Sequence, residues 1–392
     1  MSGSGPSVRP GHSSARRARA YGAVVIGGGV VGLAAAWHLL SLGCHPLAVV
    51  ERFRIGHGRG SSHGSVRMTR STYVSPAYAS LMRHVHTVEW PRLERAIGAK
   101  LVHPGDVVFF GPDRPTLGAY AAAVHAAGAD VERLVPAEAR RRFPSLRIAD
   151  DADILHDRTG GIIAAGEAIR ALHRSVVSRG ADVLEETRVR DIDRADSPIR
   201  VVSDRGVLRA ERVVIATGAW IRELVPAAGP DVRVVPQTVA YYRLGVPARS
   251  LPAWIHFGGA ESGITYGVPE VGRDALKAGH HVTTGPHTEP DTLRVPSASE
   301  ADSLRLEIER ILAVAVHESL GLESCFYTMT ATEDFVIDHW PGDSRVAFAS
   351  ACSGHGFKFA PLTGRILAEL VVKGRAEFPG RPGLAALFAL RH

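Results

Sequence analysis

The stretch that decides the fold lies near the N-terminus and runs Tyr21-Gly22-Ala23-Val24-Val25-Ile26-Gly27-Gly28-Gly29-Val30-Val31-Gly32. Within it, an apolar strand-like run leads into Gly27, Gly29 and Gly32, which fit the spacing G-x-G-x-x-G, and an apolar helix-like segment follows. Such glycines allow a tight turn, close approach of the backbone to a pyrophosphate, and close packing of the helix on the strand. The free N–H groups of the helix N-terminus would face the phosphates.

A second apolar run, 46–50, ends in Glu51. This acid lies roughly 20 residues beyond the glycine motif, which is the spacing expected of a residue that binds a ribose hydroxyl. An acid at this position argues against a 2′-phosphate and therefore against NADP, but it does not separate NAD from FAD. Strand, helix, strand and acid in this order predict a dinucleotide-binding domain.

A third signal comes far downstream, at 212–220, where a buried-type strand, 212–216, runs into a Thr-Gly turn ending in Gly218-Ala219-Trp220. Alone it could be an ordinary strand and turn. At this distance from the glycine motif it is typical of two-domain flavoproteins, in which it returns the chain to the flavin sheet. It therefore favours FAD over NAD.

The C-terminal part carries an isolated thiol, Cys325, ahead of a strand-like run, and then a strand over 346–351 that ends in a glycine-containing loop. In that loop Gly354 and Gly356 lack side chains where the backbone must approach another group closely. Lys358 places a point charge beside them. This loop suits a large anionic cofactor.

With these motifs the chain resembles the monomeric sarcosine oxidase family, which also holds N-methyltryptophan and pipecolate oxidases. The resemblance implies FAD held by a cysteine thioether, here at Cys325, and oxidation of a secondary or tertiary amine on an amino acid. Oxygen would reoxidise the flavin and yield hydrogen peroxide. The matching motifs span nearly the whole chain from 21 to about 374, and they are 27–32, Gly60-Ser61-Ser62-His63-Gly64 with Arg67 and Arg70, 216–220, Ala275-Leu276-Lys277-Ala278-Gly279, the Cys325 segment and 353–359.

The resemblance also implies roles for individual residues. Arg70 and Lys358 would bind the substrate carboxylate, Arg as a planar fork and Lys as a point charge. Lys277 would stabilise negative charge on oxygen as it is reduced. His281 would position the amine or shift its proton equilibrium, and Tyr327 would line the pocket.

We expect a larger set of residues to contact the cofactor. It comprises Gly27, Gly29, Gly32, Glu51, Arg52, Ser61, His63, Arg67, Val189, Gly218, Trp220, Cys325, Gly354, His355, Gly356, Phe357 and Lys358.

Two segments depart from the family pattern. Ser65-Val66 stands where the family usually has Asp-Thr, and 271–274 is Val-Gly-Arg-Asp where the family has Gly-Gly-Cys-Gly. These departures bear on the shape of the pocket, so they leave the natural substrate open.

The predicted fold class is α/β, with a Rossmann-type FAD-binding domain interleaved with a substrate domain built on a mixed β-sheet. The FAD-binding domain would comprise 21–85, 152–224 and 325–392, and the substrate domain 86–151 and 225–324. Local patterns predict a hairpin over 200–210, an amphipathic helix over 303–320 and a short helix over 119–127.

Composition agrees with a soluble, globular chain that is long enough for two domains. The chain has 392 residues, 45% of them hydrophobic and 22% charged. Arginines before residue 20 supply much of the net charge of +6, so we expect a disordered basic arm over 1–20 and no nucleic-acid partner. Arg16-Arg17 before an apolar run could be an export signal, but the glycine spacing explains that run as a Rossmann strand and helix.

We therefore expect a cytoplasmic monomer that acts on a small amino acid substrate and oxygen, without a membrane partner. The spacing of histidines and cysteines predicts no metal site. Two alternatives remain: a flavin dehydrogenase that passes electrons to a carrier or partner subunit, and a non-catalytic dinucleotide-binding subunit. Lys277 disfavours the first alternative, and the second leaves Arg70, Lys277 and Lys358 without a role.

Overall fold

The computed structural model describes residues 19–226, 231–258, 263–292, 294–378 and 384–390. Most of the predicted basic arm over 1–20, including Arg16-Arg17, lies outside these residues. The α-helices are α1 (Val30–Ser41), α2 (Pro76–His84), α3 (Trp90–Ile97), α4 (Arg114–Ala126), α5 (Pro136–Arg142), α6 (Ala165–Ser178), α7 (Ile221–Leu224), α8 (Ala298–Ile311), α9 (Ala360–Lys373) and α10 (Leu384–Phe388).

The β-strands come in two large sheets and two small ones. They are β1 (Ala20–Tyr21), β2 (Ala23–Ile26), β3 (Leu47–Val50), β4 (Arg67–Thr69), β5 (Val102–Pro104), β6 (Val107–Gly111), β7 (Val131–Leu134), β8 (Asp153–Asp157), β9 (Gly161–Ile163), β10 (Asp182–Leu184), β11 (Val189–Asp193), β12 (Ile199–Ser203), β13 (Gly206–Ala210), β14 (Val213–Ile215), β15 (Val232–Leu244), β16 (Ala253–Phe257), β17 (Ile264–Pro269), β18 (Leu276–His280), β19 (Val316–Thr330), β20 (Val336–Trp340) and β21 (Asp343–Ser350).

The first large sheet, sheet I, has the order β10-β3-β2-β14-β21-β20 and is parallel except for β20. Its central strands are short apolar runs buried on both faces, as parallel sheets covered by helices require. Helices α1 and α9 cover one face and cross closely at Gly364, where a Cβ would lie 2.6 Å from the carbonyl carbon of Ala34. The predicted Rossmann strand, helix and second strand are thus confirmed.

The register of sheet I brings three loops to one edge. Ile26, Ile215 and Phe348 are aligned across β2, β14 and β21. Because parallel strands end at the same edge, the loops after them open side by side. These loops are the glycine motif, the Thr-Gly turn and the loop that carries Lys358.

The second large sheet, sheet II, has the order β19-β15-β18-β17-β16-β6-β8-β7 and is mainly antiparallel, with a parallel pair between β16 and β6. One face packs on α8 through Leu304 and Ile308, within an apolar core that includes Trp254. The other face is turned toward the loops of sheet I. A mixed α/β architecture with a Rossmann-type sheet and a mixed second sheet confirms the predicted fold class.

The helix predicted over 303–320 is shorter than expected, because α8 ends at Ile311. Leu312 is extended and forms an isolated bridge with Leu146, so the chain leaves the helix there although the apolar spacing continues. The predicted short helix over 119–127 lies within α4, except for Ala127, which directly follows the helix. The hairpin over 200–210 is confirmed as β12 and β13.

The prediction that Cys325 precedes a strand is wrong, since Cys325 lies within β19 and pairs with Gln237 of β15. Residues 325–330 therefore belong to sheet II, although the proposed boundaries place them in the FAD-binding domain. Strand β8, proposed for the same domain, also pairs in sheet II. The division into domains itself stays a prediction.

In the part of the chain that the structure describes, we find no helix long and apolar enough to cross a membrane. The same residues contain no group of three or more histidine, cysteine, aspartate and glutamate side chains arranged to hold a metal ion.

Candidate active site

A cavity of about 420 Å³ lies between the loop edge of sheet I and the facing side of sheet II. Except for Gly32, every residue that the sequence places at the cofactor or the substrate lines it. Val189, at the start of β11, is among them. The residues predicted for the site, apart from Gly32, therefore line one cavity although they come from distant parts of the chain.

The glycine motif is tightly built. Gly27 has a φ of +106°, and a Cβ on it would lie 2.4 Å from the carbonyl oxygen of Ala216. A Cβ on Gly32 would lie 1.9 Å from the carbonyl oxygen of Gly27. A side chain at either position would displace the turn, so this backbone can approach a bound group as a dinucleotide requires.

Glu51 is a buried carboxylate at the end of β3. Its Oε2 accepts from the Gly28 amide at 2.6 Å and its Oε1 from the Phe53 amide at 2.8 Å. Burial alone would raise the pKa of Glu51, but hydrogen bonds from His57 and these amides outweigh it and hold the pKa below its ordinary value. Glu51 is thus an anion that stabilises the glycine turn by a hydrogen bond and also lines the cavity.

The loop before β4 is held to both sheets. Ser61 Oγ donates to the carbonyl of Phe326 at 2.6 Å, and Ser62 Oγ accepts from the Val30 amide at 3.2 Å. Arg67 donates to the carbonyls of Ser61 at 3.0 Å and His63 at 2.6 Å, so it fixes the loop from within. Among the described residues, no carboxylate lies within ion-pair distance of Arg67.

Arg70 and Lys358 meet at Tyr73, which sequence reasoning missed. The Arg70 guanidinium lies 4.2 Å from the Tyr73 ring centroid and the Lys358 ammonium 5.7 Å from it. Lys358 Nζ also donates to the Tyr73 hydroxyl at 3.2 Å and to the carbonyl of His355 at 3.1 Å. Burial and the two nearby arginines, Arg70 and Arg67, hold the pKa of Lys358 well below its usual range.

Neither cation has an anionic partner within the described part of the chain. The Arg70 guanidinium donates to the carbonyl of Thr72, and among the described residues it has no ion pair. Two convergent cations without a carboxylate form a site ready to bind one.

Asp157 is a second residue that sequence reasoning missed, and it holds the turn that carries Arg70. Asp157 is fully buried, and its Oδ2 accepts from the amides of Ser71 at 2.7 Å and Thr72 at 2.9 Å and from the Thr72 hydroxyl at 2.8 Å. Its Oδ1 accepts from Thr159. The turn that carries Arg70 is therefore anchored to the end of β8.

The same cavity is lined by His281 and Tyr327. The His281 Nδ1 and the Tyr327 hydroxyl are 3.3 Å apart. Gly354 has a φ of +72°, and a Cβ on it would lie 2.8 Å from the Tyr327 ring and 3.0 Å from the His281 ring. Burial, followed by the charges of Arg70 and Lys358, lowers the pKa of His281 to about 4, so the imidazole is neutral at pH 7.

Lys277 projects from β18 and is only 5% exposed. Burial, followed by the charge of Arg67, lowers its pKa to about 7. Among the described residues its Nζ has no hydrogen bond or ion pair, although it lies 5.9 Å from the Tyr241 ring centroid. The Tyr241 hydroxyl itself donates to Glu323 at 2.7 Å.

Cys325 lies near Lys277 and Arg67. Burial raises the pKa of its thiol, and the two cations oppose this without outweighing it. Cys44 is buried away from this site, whereas Cys352 is only partly buried and lines the same cavity as Cys325.

Other predicted residues have partners of their own. Arg52 is paired with Asp291 at 2.8 Å, and Trp220 Nε1 donates to the same carboxylate at 2.8 Å. His355 lies between the Tyr73 hydroxyl at 3.3 Å and the carbonyl of Glu333 at 3.2 Å. The charge of Arg52 is thus already balanced, which distinguishes it from Arg67, Arg70 and the two lysines.

The cavity fits FAD. Its glycine turn would admit a diphosphate, and Arg67 and Lys277 would supply positive charge to balance the negative charge that a flavin gains on reduction. Polar side-chain atoms buried without a partner among the described residues also belong to its lining, and they are His63 Nε2, Arg188 Nε, Thr217 Oγ1, Thr328 Oγ1 and Ser350 Oγ. Buried polar atoms of this kind normally have a partner, so they point to a polar ligand.

Comparison with known proteins agrees with this chemistry. Residues 23–370 match the family described as DAO, FAD dependent oxidoreductase. The chain is 29% identical over 369 residues to monomeric sarcosine oxidase of Arthrobacter sp. (strain TE1826), covering 91% of this chain and 94% of the relative. It is also 29% identical over 355 residues to N-methyl-L-tryptophan oxidase of Yersinia pestis (strain Pestoides F), covering 89% and 94%.

Two solved structures share the fold. NikD, an unusual amino acid oxidase essential for nikkomycin biosynthesis, matches with a TM-score of 0.83 and 23% identity, over 95% of this chain and 98% of that one. L-proline dehydrogenase from P. horikoshii matches with a TM-score of 0.80 and 21% identity, over 95% and 100%. The family match, the relatives and the site chemistry agree: the chain belongs to the DAO family of FAD-dependent oxidoreductases and is an amino acid oxidoreductase that resembles monomeric sarcosine oxidase.

Proposed function

We propose that this protein oxidises a secondary amino acid, N-alkyl or cyclic, at its C–N bond to give an imine, with oxygen reduced to hydrogen peroxide. The observation that carries the proposal is the convergence of Arg70 and Lys358 on Tyr73, in the same cavity as the neutral His281–Tyr327 pair. This arrangement binds a carboxylate on one side and leaves a hydrogen-bond acceptor for an amine on the other. Sarcosine and N-methyl-L-tryptophan, named in the relatives, both carry these two groups.

The residues of this chain divide the work. Arg70 and Lys358 fix the carboxylate and so orient the α-carbon and its amine. The pKa of His281 lies near 4, so at pH 7 its ring can accept a hydrogen bond and favour the neutral, reactive amine. Tyr327 holds the ring of His281 in place. Bound FAD would supply the acceptor for a hydride equivalent from the α-carbon and return the electrons to oxygen.

Lys277 acts in the second half of the reaction. Its ammonium is buried close to Cys325 and Arg67, where a fixed charge stabilises developing negative charge far better than it could in water. With a pKa near 7, Nζ can also give up and regain a proton at working pH. Attachment of FAD through the Cys325 thioether would keep the cofactor beside this lysine.

The proposal is tested by mixing the purified protein with secondary amino acids. Anaerobic addition should bleach the flavin absorbance, and in air one hydrogen peroxide should form for each amine oxidised. Bleaching without peroxide, with electrons delivered instead to an added dye, would favour a dehydrogenase. Gel filtration should give a monomer of about the mass of one chain, and cell fractionation should recover the protein in the cytoplasm.

A further inference from the structure

The face of sheet II that lines the cavity has a polar part and an apolar part. Side chains alternate along each strand, so one face of β16 and β17 is presented to the cavity at every second residue. Strands β18 and β19 are polar at the cavity, whereas the cavity-facing positions of β16 and β17 are apolar or aromatic. We call the following residues the apolar wall: Ile255, Phe257, Ile264, Tyr266 and Val268 from sheet II, and Tyr120 from α4.

The strand register makes the wall continuous. Phe109 of β6 pairs with Ile255, Ile255 pairs with Tyr266, and Tyr266 pairs with Gly279 of β18. A Cβ on Gly279 would lie 2.8 Å from the Tyr266 hydroxyl, so the Tyr266 ring lies across β18 at the position between Lys277 and His281. The wall therefore runs across the sheet from β16, the neighbour of β6, to the strand that carries Lys277.

The wall also adjoins the carboxylate site. The Arg70 guanidinium lies 5.3 Å from the ring centroid of Phe109, which is fully buried and pairs with Ile255 of the wall. Tyr120 packs at 5.8 Å from Phe109 and 5.6 Å from Phe257. Within the described residues the Tyr120 hydroxyl has no hydrogen bond. A substituent on a molecule whose carboxylate is held by Arg70 therefore has this apolar surface beside it.

We propose that the substrate is a secondary amino acid whose α-carbon carries a large apolar ring-bearing substituent, and that the apolar wall receives this substituent. The inference rests on the proposed function and specifies its substrate class. Sarcosine has only hydrogens at this position and would leave the wall facing water. A ring would remove both surfaces from water, which is the main favourable contribution to binding of apolar groups.

Binding of unreactive carboxylates tests the wall without turnover. Acetate and phenylacetate both offer a carboxylate to Arg70, and each should perturb the flavin absorbance on binding. Phenylacetate should bind at least about tenfold more tightly, since even one methylene group in an apolar pocket is worth roughly that factor. Equal dissociation constants for the two would overturn the inference.

Substitutions on one strand provide the matched control. Ile255→Thr adds a hydroxyl to the wall, and Tyr120→Ala removes a ring from it, so both should weaken phenylacetate binding by about tenfold while leaving acetate binding nearly unchanged. His256→Gln changes the next residue of β16, which faces Phe110 on the opposite side of the sheet. That variant should change neither dissociation constant. A loss shared equally by both ligands in Ile255→Thr would contradict a role in specificity.

Reaction rates separate this inference from the proposed function. Anaerobic flavin reduction by N-methylphenylalanine should exceed that by sarcosine by at least about a hundredfold in the apparent second-order rate constant. If sarcosine reduces the flavin as well as or better than N-methylphenylalanine, the function stands and the substrate class is wrong. If no secondary amino acid reduces the flavin, the proposed function fails, and the carboxylate binding series still decides whether the wall selects apolar ligands.

Discussion

Arg70 and Lys358 share one tyrosine ring, and this arrangement is costly in the free protein. Burial of the ammonium and, after it, repulsion from Arg70 and Arg67 hold the pKa of Lys358 well below its ordinary value. A bound carboxylate would remove this repulsion and raise the pKa of the ammonium again. Substrate binding should therefore be accompanied by proton uptake when Lys358 is neutral beforehand.

The first prediction concerns Arg70. Removing one member of a desolvated charge pair typically costs about 2–5 kcal/mol. Arg70→Ala should therefore raise the dissociation constant of an amino acid substrate at least about tenfold. A matched amine that lacks the carboxylate should be nearly indifferent to the change. Equal losses for both compounds, measured by anaerobic titration of the flavin absorbance, would instead assign Arg70 to the flavin or the fold.

Lys277 allows the two half-reactions to be separated. Removing one preorganised charge at a developing anion typically costs about 2.7–4 kcal/mol, so in Lys277→Met the reoxidation of reduced flavin by oxygen should slow by about a hundred- to a thousandfold. Anaerobic reduction by substrate should slow much less, because Arg70, Lys358 and His281 still hold the amine. Stopped-flow absorbance measures both steps.

The pH dependence of reoxidation follows from the same lysine. With a pKa near 7, the Nζ of Lys277 is charged below that pH and neutral above it. The wild-type reoxidation rate should fall as pH rises through 7, and the Lys277→Met rate should not respond. The exposed Lys100 provides the control, since Lys100→Met should leave both half-reactions unchanged. Fast reoxidation with collapsed reduction in Lys277→Met would place Lys277 in the substrate site.

Cys325 should carry the flavin. Acid precipitation of the wild-type protein should leave the yellow colour in the pellet, whereas Cys325→Ser should release it to the supernatant. Cys352→Ser provides a demanding control, because Cys352 lines the same cavity and should not be needed for attachment. Flavin that washes freely from the acid-denatured wild-type protein would disprove the thioether.

At the scale of single elements, prediction from sequence succeeded where one local pattern had one structural explanation. Gly27 and Gly32 could be identified because their spacing, between an apolar strand and an apolar helix, suits close backbone packing. The end of α8 could not be predicted, because the apolar spacing continues beyond Ile311 and the chain leaves the helix only through pairing of Leu312 with Leu146. The position of Cys325 inside β19 likewise depends on pairing with a distant strand.

Site residues without a local pattern were missed for the same reason. Tyr73 acts through a hydrogen bond to Lys358, 285 positions later in the chain. Asp157 carries no motif, and its importance follows only from the donors that surround it once β8 is placed beside the turn of Arg70. The apolar wall depends on the register of β6, β16 and β17.

Asp157 supports a prediction for this turn as an element. Asp157→Asn replaces one acceptor oxygen by a donor, so either Ser71 and Thr72 or Thr159 would lose a partner. A buried group left unsatisfied typically costs about 1–3 kcal/mol, and Arg70 would lose its fixed position. The dissociation constant for substrate should rise several-fold, with little change in the limiting rate of flavin reduction. If the variant shows lower thermal stability but unchanged binding, Asp157 supports the fold alone.

At the scale of the whole molecule, the site exists because two sheets face each other across one cavity. Sheet I offers its loop edge and sheet II one face, and each contributes residues that no local segment contains together. Sequence motifs could therefore identify the class of cofactor and many residues at the cavity. They could not show which charges lack partners or which wall is apolar, because both properties depend on the packing of the two sheets.

Buried histidines predict how the whole protein responds to acid. The Nε2 of His38 donates a hydrogen bond to the carbonyl of Pro361 at 3.1 Å, and the Nε2 of His86 lies 2.6 Å from the Thr69 hydroxyl. Burial lowers the pKa of each from 6.5 to about 4. Between these values the unfolded chain binds protons that the folded protein excludes, so the free energy of unfolding should fall as pH drops from 6.5 to 4.

The size of this effect is measurable with one variant. Each such histidine contributes about 1.4 kcal/mol per pH unit within this window. His38→Gln keeps a hydrogen-bonding group beside Pro361 but cannot titrate, so urea unfolding between pH 6.5 and 4.5 should show a slope reduced by about that amount. His125→Gln changes an exposed histidine of α4 and should leave the slope intact. An unchanged slope in His38→Gln would mean that His38 is protonated as readily in the folded protein as in the unfolded chain, because only a difference in proton binding between the two states can produce the dependence.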